Sequence, residues 1–322
     1  MITRRRTLIG GALLVPMAAR AAGWPERTVR MIVPFGAGAG ADTVGRTFAE
    51  ELAKALGQPV VVDNKGGAGG LMGTAEGARA APDGYTLLLT SQGTTVFNLG
   101  LFASPGYDPL KDLVPVVTTG ILTNVLVVSS ANPAMTVADL IAQARAKPGE
   151  LTYGSSGVGT SAHMSGVILE QRTGVRLQHV PYRAAPAAVL AVANGEVTMG
   201  SFNAPTVLGQ IGAGKLKALA VTTKVRSVML PDVPTMEQAG VPNYEVATWL
   251  GFALPANSPP AIVTRLNTEL NRIGQSPQVK EKLLAQGFEI VPPNSAAAAR
   301  KLIEDDQALW LPVIKQAGIK AE

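Results

Sequence analysis

The stretch VRMIVPFGAGAGADTVGR, residues 29–46, leads from an apolar strand through a glycine-rich loop into a helix. Val29 to Pro34 has the continuous apolar pattern of a strand buried on both faces, and apolar residues recur with helical spacing from Thr43 to Leu56. A loop in this position directs free backbone N–H groups and the positive end of a helix dipole toward one point. The stretch therefore predicts a cradle for a carboxylate or phosphate group.

A second loop of the same kind occurs in LTYGSSGVGTSAHMSG, residues 151–166. It again follows a short strand and precedes a helix, and it lies far enough downstream to belong to another α/β unit. Neither loop carries a recognisable nucleophile motif or a cluster of metal ligands. Two such cradles on two lobes predict a clamp that holds an anion and does not react with it.

Strand and helix signals alternate from Trp24 onward in the order β-α-β-α-β, which predicts a parallel sheet with ligand loops at its carboxyl edge. A second unit follows Ser130, and its first helix begins with the capping box Thr136-x-x-Asp139. Further along, Ser258-Pro259 predicts a helix with serine as N-cap and proline as its first residue.

The helices after Pro242 have no large sheet of their own to cover, so we expect them to return to the first lobe. The predicted fold class is therefore α/β with two lobes, each a sheet flanked by helices, and a ligand cleft between them. We expect lobe 1 to be discontinuous, with residues 24–125 and 245–322, and lobe 2 to comprise residues 126–244.

The N-terminal residues 1–21 have the features of an export signal. Arginines at 4–6 precede an apolar run over 8–17, and the small residues of 19–21 suit a cleavage site. The order of residues 3–8 resembles a twin-arginine signal. The run is too short for a membrane span, which needs about 20 residues. The sequence therefore predicts a periplasmic protein.

Charge and composition narrow the function classes. Without the four arginines of residues 1–21, the formal net charge falls from +5 to +1. No basic run with interleaved aromatic residues is left, so a nucleic-acid partner is not expected. The chain contains no cysteine, and 47% of its residues are hydrophobic. It therefore relies on its apolar core in an oxidising compartment.

Three enzymatic or cofactor-binding interpretations are disfavoured. The glycine pattern 36–41 resembles a dinucleotide fingerprint, but a cofactor fingerprint is not expected to recur once per lobe, as this one does at 157–162. A serine hydrolase would need a G-x-S-x-G elbow, which the chain lacks. Two histidines, His163 and His179, without cysteine make a zinc site improbable. We expect no catalytic residue, metal or cofactor.

Individual polar residues near the loops also have structural interpretations. His163 is expected to join the second loop to its helix, and Asp42 to cap the helix after the first loop. For Tyr182 two interpretations remain open, because its ring suits the core and its hydroxyl suits the cleft.

An ordered set of motifs along the chain resembles the Bug family, the TctC-type extracytoplasmic solute-binding receptors of tripartite tricarboxylate transporters. The resemblance runs from Trp24 to Ile319. The motifs that carry it are Trp24-Pro25, Ile32-Val33-Pro34-Phe35 with Asp42, Asn64-Lys65 to Gly69-Gly70, Pro82-Asp83-Gly84-Tyr85-Thr86-Leu87, Ser156-Gly157 to His163, and Val180-Pro181-Tyr182-Arg183.

This resemblance implies a type II periplasmic-binding-protein architecture that closes around a small organic acid. It also implies membrane subunits of a transporter as partners and a monomeric receptor. Backbone groups and bridging waters from the loops of both lobes would hold a ligand carboxylate. The residues expected to bind ligand are Phe35, Gly36, Ala37, Gly38, Ala39, Gly70, Ser91, Gln92, Thr94, Ser155, Ser156, Thr160, Ser161, Tyr182, Asn203, Thr248 and Trp249.

Departures from the family pattern leave the ligand unnamed. Ala184 and Leu71 replace a usual glycine and a frequent asparagine, and Ala191 and Thr198 stand where aspartate is common. A less polar second lobe favours an acid with an apolar or aromatic distal end. Two alternatives stay open, a ligand-sensing binding protein for a membrane sensor and an exported hydrolase.

Overall fold

The computed structural model describes residues 23–320, so the predicted export signal lies outside the described part. Its strands are β1 (Val29–Val33), β2 (Val60–Asn64), β3 (Thr86–Ser91), β4 (Leu113–Leu122), β5 (Asn124–Ser129), β6 (Thr152–Ser155), β7 (Gln178–Pro181), β8 (Met199–Asn203), β9 (Leu216–Val221), β10 (Thr248–Pro255) and β11 (Phe288–Ile290). Its helices are α1 (Gly40–Leu56), α2 (Leu71–Ala78), α3 (Asn98–Leu101), α4 (Val137–Ala146), α5 (Ser161–Thr173), α6 (Ala185–Ala193), α7 (Ala204–Gly212), α8 (Pro260–Gln275), α9 (Pro277–Leu284) and α10 (Ala296–Ala317).

The strands form two sheets, which confirms the predicted two-lobed α/β architecture. The first sheet has the order β11-β4-β10-β3-β1-β2, and the second has the order β7-β6-β8-β5-β9. β1 runs parallel to β2 and β3, and β6 runs parallel to β7 and β8. The loops that follow β1 and β6 therefore lie at the carboxyl edges of parallel strands, where α/β sheets bind ligands.

Two connections join the sheets. β4 of the first sheet ends at Leu122 and β5 of the second begins at Asn124, so Thr123 alone separates them. The chain returns through residues 222–247, between β9 and β10. In the first sheet β10 pairs antiparallel with both β3 and β4. Both connections thus run beside each other and form a hinge region.

Apolar contacts hold the C-terminal helices against the first sheet and reach the second lobe. Leu266 and Leu270 of α8 are buried with Phe48 and Phe252, whose rings meet edge to face at 5.4 Å. Trp310 of α10 belongs to a cluster that also contains residues of α5. Burial of about 25 cal/mol per Å² makes such clusters the main source of stability.

The observed helix boundaries show which elements local sequence signals predicted correctly and which they did not. The predicted capping box of α4 is present, and the helix predicted after the second loop is α5, which spans Ser161–Thr173. The prediction for α8 was wrong by one residue, because Pro259 is the N-cap and Ser258 donates a hydrogen bond to the carbonyl of Pro255 at 2.8 Å. The elements α7, α9 and β11 were not predicted, since short segments give weak periodic signals.

Candidate functional site

The first loop, residues 35–39, joins buried strand β1 to helix α1. The helix begins at Gly40, three residues before the predicted start, and Ala39 is its N-cap. Gly36, Ala37 and Gly38 are exposed, and Gly38 has φ of +80°. Because Ala39 has no polar side chain, the first N–H groups of the helix receive no side-chain cap from it. The role of this loop as an anion cradle stays a prediction, and the absence of a side-chain cap is consistent with it.

Asp42 fixes this loop from within. Asp42 is not the N-cap that was predicted, since it is the third residue of α1, in the first turn of the helix, where it is buried. Its Oδ2 accepts a hydrogen bond from the Gly38 N–H at 2.8 Å, and its Oδ1 accepts one from Asn64 Nδ2 at 2.8 Å. Arg46 also donates to this carboxylate, at 3.1 Å.

The pKa of Asp42 reflects this network. Burial by itself raises the pKa, but the hydrogen bonds from Gly38, Asn64 and Arg46 outweigh burial and hold it below its ordinary value. The carboxylate is thus ionised and fully engaged. It positions the loop backbone and leaves the exposed N–H groups to meet an anion.

Two further segments pack beside the first loop. A short 3₁₀ turn, Ala68–Gly70, ends at buried Gly70, whose φ is +86°. A Cβ atom at Gly70 would lie 2.8 Å from Thr94 Cγ2 and 3.0 Å from the Pro34 carbonyl, so only glycine fits. Thr94 in turn donates to the carbonyl of Ser91 at 3.1 Å. The structure thus brings Gly70, Ser91 and Thr94 together beside the first loop.

The second loop, residues 156–160, joins β6 to α5. Thr160 is the N-cap of α5: its Oγ1 accepts from the His163 N–H at 3.4 Å and donates to the Gly157 carbonyl at 2.8 Å. Ser155 is fully buried, and its Oγ accepts from the Gly157 N–H at 3.0 Å. Both hydroxyls therefore support the loop, while Ser156 and Ser161 are partly exposed.

Three stacked rings lie beneath this loop. The His163 ring is stacked on His179 with 4.2 Å between centroids, and Tyr153 is 4.9 Å from His179. His163 Nδ1 accepts from the Gly159 N–H at 3.3 Å, so it joins loop to helix as expected. Burial lowers the pKa of His163 to about 3, with a smaller effect of His179, and burial lowers the pKa of His179 to about 4. Both rings are neutral at pH 7.

Ser155 and His179 form a contact that sequence reasoning missed, because 24 residues separate them. Ser155 Oγ lies 2.6 Å from His179 Nε2, which is the spacing of a nucleophile and its base. The serine has no exposed surface, however, and in the described part of the chain no carboxylate bonds to His179 to orient it. The pair therefore has a structural role in the stack.

The loops of the two lobes are in contact. A Cβ atom placed on Gly69 would lie 3.2 Å from the carbonyl oxygen of Val158, and one on Gly93 would lie 3.4 Å from that of Gly159. Gly69 and Gly93 belong to lobe 1, whereas Val158 and Gly159 belong to the second loop. Lobe 1 therefore meets the second loop through Gly69 and Gly93, which lie in the segments packed beside the first loop.

Two buried asparagines lie at this meeting place, and neither was predicted. Asn124 Oδ1 accepts from Asn203 Nδ2 at 2.6 Å and is 3.4 Å from Ser161 Oγ, while its own Nδ2 has no partner among the described residues. Asn98 donates to the carbonyl of Gly69 at 3.2 Å, and its Oδ1 likewise has no partner there. Asn124 lies within the largely apolar stretch 121–128, and an amide in such a stretch was the sequence signal that could have indicated a functional residue.

The other predicted residues differ in their distance from the loops. Tyr182 lies beside the second loop, since its N–H donates to the Ser155 carbonyl at 2.9 Å, and its half-buried ring packs against the apolar cluster of lobe 2. Thr248 and Trp249 are neighbours on β10 and so point to opposite faces. Trp249 Nε1 and Gln92 Nε2 both donate to Oδ2 of Asp306 on α10, at 2.7 and 2.9 Å. Trp249 and Gln92 therefore contact α10 while the loops contact one another.

Residues 23–320 contain no group of three or more His, Cys, Asp or Glu side chains placed to hold a metal ion. Within the same range no helix combines the length and the apolar character needed to cross a membrane.

Known proteins with similar sequences and structures identify the family. The family model described as tripartite tricarboxylate transporter family receptor, TctC, matches residues 44–319. Protein BugT of Bordetella pertussis is 37% identical over 300 residues, which cover 92% of this chain and 91% of BugT.

Solved structures agree in fold over most of the chain. R. palustris Rpa4515 with adipate has a TM-score of 0.86 and 35% identity, and the match covers 93% of this chain and 100% of Rpa4515. MatC from Rhodopseudomonas palustris with bound malate has a TM-score of 0.83 and 29% identity, and the match covers 90% of this chain and 100% of MatC. With its two lobes and interlobe loops, the chain belongs to the TctC family of tripartite tricarboxylate transporter receptors, which are periplasmic solute-binding proteins.

Proposed function

We propose that this chain captures a small carboxylate between its lobes and presents it to the membrane subunits of a tripartite tricarboxylate transporter. The observation that carries the proposal is the approach of lobe 1, at Gly69 and Gly93, to the second loop at Val158 and Gly159. Exposed N–H groups at the start of α1 supply donors, and adipate and malate occupy the related proteins Rpa4515 and MatC.

The unpartnered amide of Asn124 supports a site for an anion. An unpaired buried donor costs about 1 to 3 kcal/mol, so a bound carboxylate oxygen would remove that cost. The neighbouring Ser161 hydroxyl and the Asn203 amide meet the same Asn124 oxygen. We therefore add Asn124 to the predicted ligand-binding residues and expect binding in the periplasm without catalysis.

A comparison of carboxylic acids by thermal unfolding tests the proposal. The purified protein is heated with adipate, malate and monocarboxylates of increasing apolar length. A ligand at 100 times its Kd should stabilise the fold by about 2.7 kcal/mol. The uncharged amides of the same acids serve as controls. Equal melting temperatures with every acid and amide would contradict carboxylate capture.

The variant Asn124→Asp tests whether the carboxylate ligand binds next to Asn124. The substitution keeps the side-chain size but replaces the unpartnered donor by a carboxylate, which repels an anionic ligand. We expect affinity for the best acid, measured by calorimetry, to fall by at least about a hundredfold. Asn194→Asp is the matched control, because Asn194 is an exposed residue of the same lobe. Similar affinities of the two variants would place the carboxylate elsewhere.

Transporter partnership needs its own measurement. We expect the acid-loaded protein to bind the membrane subunits in detergent more tightly than the unloaded protein, since closure changes the surface that both lobes present. Tight acid binding without any such association would favour a role in ligand sensing.

A further inference from the structure

A cavity of about 410 Å³ lies between the hinge strands and α10, on the side of β10 to which Trp249 points. This volume is within the range of small-ligand pockets. Among the described residues, none from the two glycine loops or from residues 66–70 lines it. Its walls include Trp249, Trp310, Leu302 and Ile121. We call it the hinge cavity.

The polar groups of the hinge cavity are mainly hydrogen-bond acceptors. Asp306 Oδ2 accepts from both Trp249 Nε1 and Gln92 Nε2, at 2.7 and 2.9 Å. Gln92 is only 4% exposed, and its Oε1 has no hydrogen-bond partner in residues 23–320. A buried amide oxygen without a hydrogen-bond donor lowers the stability of the fold, and a ligand that supplies a donor would remove this cost.

The charged groups that line the hinge cavity also favour a ligand that donates hydrogen bonds. Lys224 and Glu245 also line the cavity, but they pair with each other at 2.9 Å. Asp306 has no cationic nitrogen within 4.0 Å in the described part of the chain. One carboxylate is therefore left without a cation beside two tryptophan rings, and aromatic faces attract cations.

We infer that the hinge cavity is a second binding site, which takes a small primary organic ammonium ion. Its N–H groups would donate to Gln92 Oε1 and to the Asp306 carboxylate, and its alkyl part would pack against the indole rings. A carboxylate ligand is disfavoured there, because the Asp306 carboxylate would repel it, the Gln92 oxygen offers it no donor, and Lys224 is already paired with Glu245. The hinge cavity and the proposed carboxylate site would thus take ligands of opposite charge.

Calorimetry with n-butylammonium chloride tests this assignment on the purified protein. We expect saturable binding of n-butylammonium, and no binding of n-butanol, which has the same chain without the charge. Asp306→Asn should lower the affinity at least about tenfold, because it removes the charge and keeps the shape. Asp305→Asn is the matched control, since Asp305 is the next residue on α10 and its side chain is 62% exposed. This variant should bind within about twofold of the parent protein.

Two results would overturn the inference: equal heats for n-butylammonium and n-butanol, or equal affinities for the Asp306→Asn and Asp305→Asn proteins. Thermal unfolding shows whether Asp306→Asn folds. If the Asp306→Asn protein does not fold, Ala298→Phe is used as the test variant. Ala298 is exposed on α10 and lines the hinge cavity, so a larger side chain there narrows the cavity entrance. Unchanged n-butylammonium affinity in that variant would count equally against the site.

Discussion

Ser161 and Thr160 are adjacent hydroxyl residues whose surroundings differ. Thr160 Oγ1 caps α5 and holds the Gly157 carbonyl, so both of its hydrogen-bonding functions are used within the loop. Ser161 Oγ is near Asn124 Oδ1 at 3.4 Å, a long contact that a ligand oxygen can replace. Sequence alone predicted ligand binding for both residues, whereas the contacts show Thr160 as a helix cap and leave Ser161 as the proposed ligand donor.

We therefore predict different effects of substituting these two residues. Thr160→Val should lower the free energy of unfolding by about 0.5 to 2 kcal/mol, because α5 loses its N-cap. Ser161→Ala should weaken acid binding about tenfold, with unliganded stability nearly unchanged. Urea unfolding measures the free energy of unfolding of both variants, and calorimetry measures their affinity for the acid. The prediction fails if Ser161→Ala destabilises the protein while its affinity stays constant.

At the scale of elements, the stack of Tyr153, His163 and His179 links β6, α5 and β7. His163 is buried and His179 is partly buried, both are neutral at pH 7, and His179 also contacts Ser155 at the end of β6. In the unfolded chain a histidine titrates near pH 6.5. Below that pH the unfolded chain binds protons that the folded protein does not bind, so folding loses stability as the pH falls toward 4.

We predict a stability loss of about 2 kcal/mol per histidine between pH 7 and pH 5, from the lowered pKa values of His163 and His179. Urea unfolding at the two pH values measures it. His179→Phe keeps an aromatic ring in the stack and removes one titrating group, so it should reduce the loss by about half. Equal stability of the parent protein at both pH values would contradict the buried neutral state.

At the scale of the whole molecule, the lobes meet on two sides of the hinge. On one side Gly69 and Gly93 of lobe 1 approach the second loop. On the other, Trp310 and Ile314 of α10 share an apolar cluster with Met164 and Ile168 of α5. Gln171 also donates to the Val313 carbonyl at 3.1 Å. The lobe boundaries 24–125 with 245–322, and 126–244, remain a prediction that limited proteolysis can test.

We predict that a wedge between the loops prevents closure. Gly93→Trp places a bulky side chain near the Gly159 carbonyl, so acid affinity should fall at least about tenfold. Small-angle scattering at saturating acid should give the variant a larger radius of gyration than the parent protein. Gly209→Trp is the matched control, because a Cβ atom there meets nothing within 4 Å. If both variants bind and compact equally, closure does not depend on this contact.

The local pattern of the sequence determined the two glycine loops, the alternation of strands and helices, and caps such as that of α4. These features depend on residues close together in the chain, so they can be predicted from spacing. Tertiary structure alone decided which side chains meet: Asn124 with Ser161, Ser155 with His179, and Gln92 with Asp306. Such contacts depend on strand order and on the opposite facing of neighbours such as Thr248 and Trp249, and no local signal encodes the partner on a distant element.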